Sequence, residues 1–204
     1  MKSIQIVNWD GIVMGGGIGV SIHAPYRIAT EKTMLAMPEA KIGFYTDVGS
    51  SYVLARIRNN IGMYIALTSG RLKGEDVYNS GFANYFVAKD SVPKIYDEIS
   101  MKIKDSTNPK QTIEEVLNKY HIGSADKKIS NEEEIKQIFE GKSVAEIYEK
   151  AKASGTPFAA SVVKAMDEVC PESMHIIYKL IKDSQHMSLQ DVFKRDFLLA
   201  QYFS

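Results

Sequence analysis

The chain has 204 residues, enough for one good-sized domain or a domain plus an appendage. Apolar residues make up 45%, which excludes a disordered chain, and 25 Lys+Arg balance 25 Asp+Glu, so no net field selects nucleic acid or an anionic membrane. The single cysteine, Cys170, excludes an internal disulfide and suits a reducing compartment.

Residues 1–90 mix short strand-like runs with glycine clusters. Ile4-Gln5-Ile6 alternates and leads into Val7, which predicts a short strand, and Asp10-Gly11 predicts a turn. Gly15-Gly16-Gly17-Ile18-Gly19 follows, with a helix expected to start over Val20, Ile22 and Ala24. Tyr26–Thr30 and Thr33–Met37 read as two strands, the second ended by Pro38, which cannot donate to a ladder. Helices are expected over Val48–Ile57 and Ile61–Thr68, with Gly70 as the stop of the second. Gly74–Asn79 predicts a helical turn ending at Gly81, and Phe82–Val87 a strand.

Residues 91–204 are almost entirely helical in period. Thr112–Glu115, Ser143–Glu146 and Ser188–Asp191 each have the form of a capping box opening an amphipathic segment. In the last of these Val192, Phe193, Leu199 and Phe203 fall at helical spacing, with Asp196 between them. Gly123–Ser130 is the clearest linker. The expected division is 1–104 as core and 105–204 as a helical C-terminal region. The first residues match neither a secretory signal, because the apolar stretch is short and interrupted with no small-residue cleavage site, nor a mitochondrial presequence, because Arg is absent before Arg27. No apolar run approaches the roughly 18–20 residues that span a bilayer.

Three features can carry chemistry. A glycine turn between a strand and a helix lets backbone N–H groups approach a ligand, and the helix start adds unpaired donors for an anion or oxyanion. A plain tight turn packed on its neighbours fits the same glycines. Gly15, Gly16 and Gly17 do not make a P-loop, since no Gly-Lys-Ser/Thr follows, and Val20 breaks the dinucleotide pattern. Glu39 stands directly after a strand, where it is either a working carboxylate or a solvated loop acid. Asp47 reads first as the N-cap of the helix behind it, or as the orienting partner of Glu39. His23, His121, His175 and His186 are scattered without ligand spacing, Cys170 has no metal partner nearby, and no Gly-x-Ser-x-Gly elbow is present. Only His23, just after the glycines, is a candidate for the site.

Residues 9–57, WDGIVMGGGIGVSIHAPYRIATEKTMLAMPEAKIGFYTDVGSSYVLARI, closely resemble the signature half of the 3-hydroxyisobutyryl-CoA hydrolases of the crotonase (enoyl-CoA hydratase/isomerase) superfamily. The glycine turn, Arg27-Ile28-Ala29-Thr30, Ala36-Met37-Pro38-Glu39 and Asp47-Val48-Gly49 come in that order with family-like gaps. Weaker likeness continues through Thr68–Leu72, Cys170–Met174 and Ser188–Val192. The resemblance implies an α/β crotonase fold (ClpP/crotonase-like) of repeated ββα turns, here a partial core followed by a mostly helical C-terminal region. It implies hydrolysis of 3-hydroxyisobutyryl-CoA to 3-hydroxyisobutyrate and coenzyme A in valine catabolism, in mitochondria. Gly16 would offer a backbone N–H to the thioester oxygen, with Gly15 and Gly17 shaping the turn. Glu39 would activate water or attack the carbonyl itself, and Asp47 would hold the substrate hydroxyl or the water. The acyl-CoA thioester is the substrate, and no metal or redox cofactor is implied.

The chain departs from the family pattern at Thr46, where proline is usual, and at Ser50-Ser51, which replaces a glycine pair. It is expected to lack the family's N-terminal part and extreme C-terminus. A partial core exposes apolar faces, so another chain or segment is expected to complete it. Two other readings follow: a non-catalytic subunit of a large mitochondrial assembly such as the ribosome, and an enoyl-CoA hydratase or isomerase.

Overall fold

The computed structural model describes residues 3–124 and 127–202. In chain order the elements are β1 (Ile6–Trp9), β2 (Ile12–Met14), α1 (Gly16–Gly19), β3 (Tyr26–Ala29), β4 (Met34–Ala36), α2 (Ser50–Leu54), α3 (Ile61–Thr68), β5 (Arg71–Lys73), α4 (Glu75–Asn79) and β6 (Tyr85–Phe86). Among the described residues only helices follow: α5 (Val92–Lys102), α6 (Pro109–Tyr120), α7 (Glu132–Phe139), α8 (Val144–Ser154), α9 (Pro157–Asp167), α10 (Pro171–Ser184) and α11 (Leu189–Ala200).

The strands form two three-stranded sheets, ordered β1-β3-β6 and β2-β4-β5. Two passes run strand, strand, helix (β1-β2-α1 and β3-β4-α2), the ββα repeat expected of the crotonase fold; in the third, α4 stands between β5 and β6. β1 pairs in parallel with β3, Ile6 opposite Tyr26, and β3 in parallel with β6, Ile28 opposite Tyr85.

The chain divides into two compact units, each built from three separate segments. The first comprises 1–13, 23–35 and 72–128. Its core sets Tyr26 and Ile28 of β3 against Val92, Ile95 and Ile99 of α5 and Ile113, Val116 and Leu117 of α6. These recur at three- and four-residue intervals, the stripe an amphipathic helix buries. In the same unit His121 Nδ1 accepts the Phe86 N–H at 3.1 Å, which fixes the proton on Nε2, facing the Tyr78 hydroxyl at 3.1 Å.

The second unit comprises 14–22, 36–71 and 129–204. Here α3 is nearly all buried, and Gly62 lets it approach α2: a Cβ at Gly62 would stand 2.1 Å from the Leu54 carbonyl oxygen. A buried carboxylate ties the helical segment down. Glu132 accepts from Arg58 Nη2 at 3.0 Å, Asn59 Nδ2 at 2.6 Å and the Ile129 N–H at 2.9 Å. Asn59, and Asn60, whose side chain donates to the Lys136 carbonyl at 3.2 Å, both stand in left-handed backbone, which asparagine tolerates better than most residues.

Several expectations shift. The first strand begins at Ile6, later than Ile4, and β2 and β5 were not foreseen. Helix α1 covers the glycines and ends before Val20, because the Ser21 hydroxyl donates back to the Gly17 and Ile18 carbonyls at 2.5 and 3.3 Å and turns the chain. Ser69, at φ 52°, stops α3 in place of Gly70. The Thr112 capping box fails: Asn108 caps α6 from outside, receiving the Gln111 N–H at 3.3 Å, so Thr112 lies inside the helix. Ser143 and Ser188 cap their helices, each hydroxyl accepting the N–H three residues on, at 3.1 and 3.2 Å, while Glu146 reaches back to the Lys142 N–H at 2.9 Å. Phe203 lies outside the described residues, as do Ala125 and Asp126 of the linker. Among the described residues no helix is long and apolar enough to cross a membrane.

Candidate functional site

All five predicted site residues fall in the second unit. β4 leads into it through Ala36 and Met37, both buried, and Pro38 ends the strand. A single 3₁₀ turn, Glu39–Ile42, follows and is closed by Gly43 at φ 72°. The Phe44 N–H returns to the Glu39 carbonyl at 3.0 Å, and the Cys170 N–H reaches the Ala40 carbonyl at 2.9 Å. The backbone around Glu39 is therefore pinned from both sides, and its carboxylate is 5% exposed.

That carboxylate faces the glycine turn. A Cβ placed on Gly15 would lie 3.8 Å from Glu39 Oε1, while Oε2 is buried without a hydrogen-bond partner among the described residues. Burial pushes the Glu39 carboxyl up to about 7, its own backbone N–H pulls the other way, and the charge of Asp47 raises it further. A carboxyl that titrates near neutrality can take and return a proton at working pH.

α1 opens at Gly15, φ 51°, and its first helical bond runs from the Ile18 N–H to the Gly15 carbonyl at 2.9 Å. The Gly16 and Gly17 N–H groups come before that bond and, by helix geometry, have no intrahelical acceptor.

Asp47 is not the cap that its position suggests. Gly49, at φ 75°, stands at the cap of α2 without a side-chain bond, and the Ser50 N–H goes to the Asp47 backbone carbonyl at 2.9 Å. Asp47 instead lines a cleft of about 240 Å³ with Tyr45, Val48, Phe193, Asp196, Phe197 and Ala200, a cleft lined by neither Glu39 nor the glycine turn. Burial raises its pKa, partly offset by its own backbone N–H.

Sequence reasoning passed over Asp196. It is 5% exposed on α11, and one Oδ accepts the Gly49 N–H at 2.9 Å. Tyr45, fully buried and stacked on Phe44 with centroids 4.6 Å apart, donates its hydroxyl to the Asp196 backbone carbonyl at 2.8 Å. The signal was available: Val192 and Asp196 are one helical turn apart, so an acid sits on the buried face of an amphipathic helix. Ser51 also has a task that the departure from a glycine pair did not suggest. It accepts from Arg195 Nη2 at 2.8 Å, beside Ser184, and so seats the guanidinium next to Asp196.

His23 belongs to the first unit. Cys170 Sγ donates to Glu172 at the start of α10, 3.3 Å away. Among the described residues no group of three or more His, Cys, Asp or Glu could hold a metal ion.

A family profile described as enoyl-CoA hydratase/isomerase matches residues 1–204. The mitochondrial 3-hydroxyisobutyryl-CoA hydrolase of Gallus gallus is 40% identical over 202 residues, covering 94% of this chain and 51% of its own length. That of Dictyostelium discoideum is 39% identical, over 98% and 53%, and that of Homo sapiens 36%, over 94% and 50%. The chain thus spans about half the length of the curated relatives it matches. Among solved structures, a carnitinyl-CoA dehydratase from Mycobacterium thermoresistibile superposes with TM-score 0.81 at 27% identity, over 94% of this chain and 54% of that one. An enoyl-CoA hydratase from Rhodobacter sphaeroides gives 0.75 at 28%, over 92% and 52%. Hydrolase names at 35–40% identity favour neither the ribosomal-scaffold reading nor the hydratase or isomerase reading. Matched along its whole length and carrying the sheets of the crotonase fold, the chain belongs to the enoyl-CoA hydratase/isomerase family.

Proposed function

We propose that this protein hydrolyses acyl-CoA thioesters, with 3-hydroxyisobutyryl-CoA as substrate and 3-hydroxyisobutyrate and coenzyme A as products. One observation carries the reading: Glu39 is buried, pushed up to about 7, and faces the Gly15 turn.

Glu39 draws a proton from water as the water oxygen attacks the thioester carbonyl carbon. Charge gathers on the carbonyl oxygen, and the Gly16 N–H is the fixed donor that receives it, with Gly15 and Gly17 holding the turn. Collapse breaks the C–S bond, and the thiolate of coenzyme A takes the proton from Glu39. Asp47 accepts the hydroxyl of the acyl group, or the water, against Glu39. Hydrolysis of this kind calls for no redox cofactor. The relatives' names support this substrate and a mitochondrial location. Their length supports a core completed by a further segment or chain.

The test is hydrolysis of 3-hydroxyisobutyryl-CoA by the protein from its native source, with native mass spectrometry reporting any chain that accompanies it. The recombinant parent and Glu39→Gln are assayed alongside. Turnover abolished by Glu39→Gln supports the assignment; a folded native preparation, with any chain that accompanies it, that shows no turnover overturns it.

A further inference from the structure

The turn that carries Asp47 is held in an unfavourable shape. Val48 has φ 50°, a left-handed value that a β-branched residue strongly resists. Gly49 follows at φ 75°. Such backbone persists only where its surroundings over-determine it, and it gathers at working sites. Two contacts hold it here. On one side the Val48 side chain lies over Gly19, where a Cβ would stand 2.0 Å from Val48 Cγ2. On the other side the Gly49 N–H ends on the buried Asp196 carboxylate at 2.9 Å.

Asp196 is itself fixed on several sides. The Tyr45 hydroxyl holds its backbone carbonyl at 2.8 Å. Arg195 Nη2 lies 3.6 Å from its other oxygen, Oδ1, which has no hydrogen-bond partner among the described residues. The guanidinium is anchored in turn by Ser51 and Ser184 Oγ at 2.8 and 3.0 Å. Asp196 and Asp47 line the same cleft. The two carboxylates feel one another, since the charge of Asp47 raises the pKa of Asp196.

We propose that Asp196 is a positioning residue: by accepting the Gly49 N–H it keeps the strained Asp47-Val48-Gly49 turn in the one conformation that places Asp47 for its work. This rests on Asp47 being a working carboxylate of the proposed hydrolase. Asp196 touches no reacting atom and acts through Asp47. The charge of Asp196 is secondary, and an uncharged acceptor in the same place serves the purpose.

The test is a double-mutant cycle on 3-hydroxyisobutyryl-CoA hydrolysis, using the protein with any chain that co-purifies. Asp196→Ala is expected to lower kcat on the order of 10- to 100-fold, the loss that a misplacement of about 1 Å brings. KM is expected to stay within about twofold. Asp196→Asn, which keeps an oxygen for Gly49, restores most of the rate. In an Asp47→Asn background the same Asp196→Ala change has almost no further effect, because the residue it positions is already gone. Where Asp196→Ala does not fold, Asp196→Leu fills the site without an acceptor. An equal loss in both backgrounds, no rescue by Asn, or no effect of Asp47→Asn overturns the proposal. If the parent shows no turnover, it is the hydrolase reading that falls. Positioning is then read from the Gly49 amide: exchange accelerated at least about tenfold by Asp196→Ala and slowed again by Asp196→Asn supports it, and unchanged exchange overturns it.

Discussion

Gly15 and Glu39 face one another: a side chain begun at Gly15 would sit 3.8 Å from Glu39 Oε1, on a backbone at φ 51° and ψ −126°. The space alone admits a methyl group, but the backbone does not, because that region is essentially reserved for glycine. Gly15→Ala is therefore expected to destabilise the protein by roughly 1–3 kcal/mol in urea unfolding, through strain. Its lost activity should exceed what the small unfolded fraction explains, since any relaxation of the turn moves the Gly16 N–H.

Glu39→Gln separates stability from function. The buried Oε2 lacks a partner, so ionised Glu39 is an uncompensated charge that a neutral amide relieves. At pH 8 the variant should be more stable than the parent by roughly 1–3 kcal/mol in urea melts, while turnover falls by about 10²- to 10⁴-fold.

The same carboxyl sets opposite pH trends. Its folded pKa is raised from 4.5 to about 7, so the native state binds more protons than the unfolded state between those values. Its stability contribution is full below pH 4.5 and is lost as pH climbs through about 7, a decline of roughly 3 kcal/mol. Asp47 and Asp196 are raised in the same direction and deepen the decline. Hydrolysis needs the ionised form and should rise through the same interval. Denaturant melts and kcat/KM measured from pH 4 to 8 check both slopes, and Glu39→Gln should flatten the first.

Gly19→Ala drives a methyl group into Val48, 2.0 Å from Cγ2 and 2.7 Å from Cβ. Overpacking of this kind costs about 1–3 kcal/mol. Val48→Gly removes the clash and the strained φ together, so the pair Gly19→Ala/Val48→Gly should be more stable than Gly19→Ala alone. Thermal and urea melts of the three variants measure the non-additivity.

Glu132→Ala breaks the latch made by Arg58, Asn59 and the Ile129 N–H. The Glu132 side chain is 1% exposed while that of Arg58 is 41%, so the arginine can turn to water when its partner goes. The expected loss therefore lies at or below the roughly 3–5 kcal/mol of a broken buried pair, read as a shift in urea midpoint.

Much of this architecture was legible in the order of the residues. α3 runs over Ile61–Thr68 as the periodicity required, and Ser143 and Ser188 cap their helices. Local chemistry decides those features, so a local pattern reports them. The misses share the opposite cause. A Thr-x-x-Glu pattern lost to Asn108 because an earlier residue, followed by Pro109, offered the better cap. Asp47 reads as a cap because the residue that does the holding, Asp196, is 147 positions from Gly49. Three-residue strands such as β2 and β5 are too short to show an alternation and exist only through their sheet.

That separation of 147 residues also has a meaning in time. On a ribosome adding about 5–20 residues each second, the turn bearing Asp47 emerges roughly 7–30 s before the carboxylate that fastens it. Until α11 arrives, Val48 has only its packing over Gly19 to hold it in left-handed backbone, and the Gly49 N–H lacks the Asp196 acceptor. On the proposed reading, catalytic competence is thus a late event in the life of each molecule, and a product of interrupted synthesis carries Glu39 and Asp47 but not the arrangement that would use them.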